Sequence, residues 1–189
     1  MDRADGIIAL ENRLLRAFKT KGGFGILDKF LGQSLLWRRE NEHEPFEQIQ
    51  FPSHRPRVPT WSWMAYTGSI SYFDIPLGGV DWAELGSPFQ PGLHTKEPRN
   101  TIIADTSGFN KRQITNLFYD LPTNANKSNQ ECVVIAKSKS STAFYLMIVA
   151  PGESPTAVQG GKWERIGIAF AEGHEAFILD RPAKRVEIW

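Results

Sequence analysis

A single cysteine, Cys132, stands in the 189 residues, so an internal disulfide framework and any multi-cysteine metal site are excluded. It falls in the apolar run C-V-V-I-A, where a cysteine packs as a small hydrophobe and not as a nucleophile. Histidine is equally sparse: His43, His54, His94 and His174 are scattered over polar stretches at spacings that fit no zinc or iron pattern. Neither a metal nor a cofactor is expected. No apolar run reaches the length of a membrane-spanning helix, and the first residues lack the charged and apolar regions of a signal peptide. No membrane association and a cytoplasmic location are therefore expected. Charge of one sign is also lacking: 22 Lys and Arg against 21 Asp and Glu leave a net +1. That balance gives no electrostatic case for nucleic acid or an anionic membrane. The sequence has no G-x-S-x-G elbow, no phosphate loop, no H-E-x-x-H and no dinucleotide fingerprint.

Ordinary globular composition remains, with 41% apolar and 23% charged residues, enough for one domain over residues 1–189. Three stretches differ in texture. In residues 1–39, Ile7, Leu10, Leu14, Leu15 and Phe18 recur at helical spacing with Glu11, Arg13 and Arg16 opposite, predicting an amphipathic helix over 7–18. Gly22-Gly23-Phe24-Gly25 reads as its stop and a turn, and 24–37 as short elements docked on the body. Residues 40–59 are polar and carry Pro45, Pro52, Pro56 and Pro59, an extended connection. Residues 60–189 form the β-rich body. Strands are expected over 59–65, 69–75, 101–105, 114–119, 132–138, 144–150, 163–171 and 185–189, with a hairpin joining the 132–138 and 144–150 runs. The expected class is mainly β (α+β): a small β-barrel or β-sandwich with one N-terminal helix.

The stretch V-P-T-W-S-W-M-A-Y-T sets Trp61 and Trp63 two residues apart. On a strand both indoles take one face, either as a core plug or as the wall of a pocket. Tyr66, Phe73 and Trp82 are the other expected ligand-binding aromatics, with Trp163 and Trp189 as further wall candidates. Tyr72 on a strand over 69–75 shares a face with Asp74. A carboxylate desolvated beside a tyrosine can act as a general acid, so Asp74, Tyr72 and His94 are the candidate catalytic groups. The competing role for Asp74 is to cap a turn before Pro76.

A-D-G-I-I-A-L-E-N-R-L, T-K-G-G-F-G-I-L-D, L-G-Q-S-L-L-W-R-R and R-V-P-T-W-S-W-M-A-Y-T-G-S-I-S-Y, taken in that order, resemble the region C-terminal to the heterokaryon incompatibility (HET) domain of fungal proteins. E-C-V-V-I-A-K-S, F-Y-L-M-I-V-A-P and W-E-R-I-G-I-A-F extend the resemblance over almost the whole chain, and P-T-W-S-W is its most distinctive element. The HET domain itself is not in this sequence, so the resemblance implies no cell-death executor activity. It implies either a piece of a longer protein or a stand-alone module. It supplies no family-wide catalytic residues. Two functions are compatible with these residues. One is a β module that binds a small apolar or aromatic molecule or a protein partner. The alternative is a cofactor-independent enzyme of fungal specialised metabolism, a cyclase, isomerase or pericyclase, whose aromatic pocket preorganises its substrate.

Overall fold

The computed structural model describes residues 3–41, 43–51, 57–91, 97–111, 114, 116–152, 162–173 and 183–189. Helix α1 (Arg3–Phe18) leads into β1 (Gly22–Gly23) and β2 (Ile26–Leu27), which pair antiparallel. Phe24 and Gly25 make the turn between them at φ of 56° and 75°, both left-handed as a two-residue hairpin turn of this hand requires. The glycine cluster read as a helix stop and a turn provides the turn, as a hairpin, while the helix itself ends earlier, at Phe18. A 3-10 turn at Asp28–Phe30 and the one-turn helix α2 (Leu31–Ser34) follow, then β3 (Trp37–Arg39), which pairs with β4 (Ile70–Tyr72). Along α1, Leu14 and Leu15 are half-buried while Leu10 and Phe18 stay exposed, so its apolar stripe is only partly covered.

Among the described residues the body is one sheet of seven strands. Its members are β5 (Val80–Trp82), β6 (Ile102–Thr106), β7 (Asn116–Tyr119), β8 (Glu131–Ser138), β9 (Phe144–Pro151), β10 (Trp163–Ala171) and β11 (Lys184–Ile188). They run in the order β5-β8-β9-β10-β11-β6, with β7 also paired to β10. β9 is buried on both faces, which is why its sequence is a continuous apolar run and not an alternation. Tyr145, Met147 and Val149 face one core with Trp61, Ile168 and Ile188. Phe144, Leu146, Ile148 and Ala150 face a second core with Phe109, Ile166 and Ala169. The mostly β character matches expectation; the ladders do not close into a barrel. Closure is replaced by two isolated bridges, Gly86–Ile103 and Ser107–Cys132, which tie β6 back towards the β5 and β8 side.

Two expected strands are corrected. Residues 59–65 form a turn followed by a 3-10 helix at Trp63–Ala65, not a strand. Ser62 directs this: its hydroxyl accepts from the Met64 N–H at 3.0 Å, capping the turn as short polar side chains do. Trp61 and Trp63 therefore share no strand face. Trp61 is fully buried between Phe24 and Phe89, whereas Trp63 is half-buried and donates its indole N–H to the Gly25 carbonyl at 3.3 Å. The run 69–75 is a strand only over Ile70–Tyr72, so Asp74 lies beyond it and shares no pleat with Tyr72. No described helix is long and apolar enough to cross a membrane.

Candidate functional site

The P-T-W-S-W residues act as a clasp. The Thr60 hydroxyl accepts the Arg165 backbone N–H at 3.0 Å and donates to the Trp189 carbonyl. The Trp61 carbonyl accepts the Trp37 indole N–H at 3.0 Å, and the Ser62 hydroxyl donates to the Phe24 carbonyl at 2.6 Å. One short segment thereby holds the N-terminal elements to β10 and to the residue after β11.

Beneath the clasp lies an ion pair that sequence reasoning missed. Arg165 is 1% exposed and grips Asp120 through Nε and Nη2, both at 3.0 Å. Its remaining donors reach the carbonyls of Leu35 at 2.6 Å and Trp37 at 2.5 Å, and its guanidinium sits 3.5 Å from the Trp37 ring centroid. The aim of this side chain comes from a bulge. The β9–β10 register slips between Arg165 and Gly167, so Trp163 and Arg165 face the side that Ile168 takes after the slip. Burial raises the Asp120 carboxyl above its ordinary value, and the Arg165 charge opposes that rise. The pair has no free approach for a ligand, and its role is to hold the fold.

The expected ligand-binding aromatics separate accordingly. Trp61 and Tyr66 are core residues; Tyr66 stacks on Phe46 at 5.3 Å, and burial pushes its phenol up. Phe73 packs edge-on against Phe118 and Tyr145, each at 5.9 Å. Trp63 seals the clasp. Trp163 is buried, with the Lys184 ammonium 5.0 Å from its ring. Trp189 lines a polar groove of about 460 Å³ together with Arg57, Asn124, Lys127 and Glu164. In that groove Lys127 and Glu164 are already paired at 2.8 Å.

Among the described site residues expected from the sequence, Trp82 alone lines a second cleft, a half-open space of about 500 Å³ between the Asp28–Gln33 segment and β5. Its walls are Phe30, Leu31, Trp82 and Leu85, and its polar groups include Asp28, Lys29, Gln33 and Glu84. Trp82 is 44% exposed where it lines this cleft. Gly32 makes the placement possible: a Cβ there would lie 2.5 Å from Cε3 of Trp82, so the six-membered ring rests on bare α2 backbone. Sequence reasoning placed Trp82 among the ligand-binding aromatics. It missed Asp28, Lys29 and Gly32, which sit some fifty residues earlier in a segment with no periodic signal.

The candidate catalytic groups do not converge on either cleft. Tyr72 is 44% exposed and Asp74 is exposed, and neither lines either of these two clefts. The tyrosine that does feel Asp74 is Tyr145, whose phenol is raised chiefly by burial and further by Asp74 and Glu172. His94 lies outside the described residues. Comparison of the chain with family models, with curated proteins and with solved structures finds no match.

Proposed function

We propose that this chain is a binding module for a small molecule with an apolar or aromatic face, held in the Trp82 cleft. The half-exposed indole over Gly32, at the wall of a cleft of about 500 Å³, is the observation that carries this reading. A flat ring whose back is braced by backbone offers its front to a ligand at little entropic cost, because the platform is already oriented. The kinship proposed is with the region C-terminal to HET domains. It is supported by the P-T-W-S-W and W-E-R-I-G-I-A-F residues, which carry the resemblance and also build the clasp and the Arg165 contact. A sandwich arrangement of the sheet, with the N-terminal segment as cover, is the form of the fold we favour.

The binding reading stands ahead of a cofactor-independent cyclase, isomerase or pericyclase because Tyr72 and Asp74 open to solvent, away from both clefts. An acid-assisted form of that chemistry would need its proton donor within reach of the substrate in the cavity. The test is a titration with a panel of small aromatic and apolar molecules, followed by tryptophan fluorescence. Binding that Trp82→Ala abolishes and Trp189→Ala leaves intact is expected. Ligand binding that survives Trp82→Ala unchanged would remove this cleft as the site.

A further inference from the structure

We propose, resting on the cleft reading above, that the ligand of the Trp82 cleft is an organic cation, an ammonium group bearing small apolar substituents. Three features of the cleft converge on that class. The first is the exposed face of Trp82, since an indole face is the best aromatic partner for a cation. The second is charge. Asp28 and Glu84 bring two carboxylates to the lining and Lys29 brings one ammonium, leaving the cleft one negative charge in excess. The third is that these carboxylates are unspent: among the described residues neither Asp28 nor Glu84 forms an ion pair. Lys29 lies over the Phe30 ring, 5.8 Å from its centroid, and within pairing distance of neither carboxylate.

The alternatives fit less well on the same chemistry. A neutral aromatic ligand would sit beside the two carboxylates without giving them a counter-charge. An anionic ligand would meet them directly. A methylated ammonium satisfies both halves of the lining, because its charge is spread over apolar groups that touch the indole while the carboxylates neutralise it. Trp82 and Phe30 supply the apolar contact, and Asp28 and Glu84 the charge.

The test follows the indole N–H resonances of the full chain in proton–nitrogen correlation spectra. Trp82 is identified as the signal lost in Trp82→Phe. Three probes are titrated: choline, its neutral isostere in which carbon replaces the ammonium nitrogen, and methyl glucoside. Choline is expected to shift the Trp82 resonance saturably and to leave that of buried Trp61 in place. Asp28→Asn and Glu84→Gln should each weaken binding about two- to fivefold, as partly exposed charge pairs do. These exchanges keep size and fold, so a loss reports charge. If the neutral isostere shifts Trp82 at the same concentrations as choline, or if both carboxylate variants bind choline as wild type does, the cation assignment is overturned while the cleft remains a site. If methyl glucoside alone binds, the ligand class is polyhydroxyl and the assignment is likewise overturned. If no probe moves Trp82, the cation assignment falls, and fluorescence titration with the neutral panel decides the cleft separately.

Discussion

Arg165 and Asp120 meet through two 3.0 Å hydrogen bonds with both side chains at or below 1% exposure, one on a bulged strand and the other just past β7. A pair so fully withdrawn from water stabilises only if both partners stay. Removing one leaves a buried charge without a counter-ion. Arg165→Met or Asp120→Leu should therefore each cost about 3–5 kcal/mol, while the double exchange of both should recover part of that loss. Urea unfolding of the three variants measures it. Additive losses would mean that the two residues do not act as a unit.

Thr60 is the second handle on the same contact. Thr60→Val keeps the shape and removes the acceptor of the Arg165 N–H, orphaning a buried donor at a cost of about 1–3 kcal/mol. Thr60→Ser keeps the hydroxyl and should lose less than half as much. Equal losses in the two variants would show that packing, not the hydrogen bond, is what counts at this position.

The two clasp tryptophans should part company on truncation. Trp61→Ala empties a fully buried site and should cost about 3–5 kcal/mol. Trp63, half-buried, should cost clearly less in the same thermal or urea measurement. Trp82→Ala, which removes an exposed ring, should stay within about 1 kcal/mol of wild type.

Gly32→Ala tests the brace behind Trp82. The new methyl would sit 2.5 Å from the ring, and since that ring is half-exposed it can swing away. The expected outcome is a shifted Trp82 indole resonance and weakened ligand binding with an unchanged unfolding midpoint. An unmoved Trp82 signal would place the ring elsewhere.

Cys132 supplies a pH dependence. Burial pushes its thiol from an ordinary 9.0 up to about 12. A folded-state value above the unfolded one gives stability that is complete below about pH 9 and is lost as pH rises towards 12, because the unfolded thiol ionises first. Cys132→Ala should flatten that part of the alkaline stability profile. In the native state a thiol reagent at pH 8 should leave Cys132 unmodified until urea unfolds the chain.

Legibility of the fold in the sequence followed burial. β10 runs over the expected 163–171, and β8 and β9 lie within one residue of expectation, because strands buried on both faces are written as long apolar runs. β3 and β5 span three residues each and are held by their partners, so no period could announce them. W-S-W imitated a strand because two indoles at spacing two fit a pleat as well as a capped turn; Ser62 between them was the discriminating residue. Arg165 was readable in principle. In W-E-R-I-G-I-A-F it takes the inward parity of Trp163, and the apolar parity then changes at Ile166, as a bulge requires. The cleft was only half readable, because Trp82 lies beside Glu84 in the chain while Asp28, Lys29 and Gly32 reach it through space.

The long reach of Arg165 also sets a timetable. Its guanidinium holds the carbonyls of Leu35 and Trp37, 130 and 128 positions earlier. During synthesis the early elements must wait for β10 before their anchor exists, which at roughly 5–20 residues per second is a delay on the order of ten seconds. Through that interval Leu35, Leu36 and Trp37, all fully buried in the finished fold, have no anchor on β10. The nascent chain therefore carries this apolar segment before the sheet that anchors it is complete, and contacts so distant in sequence favour slow assembly.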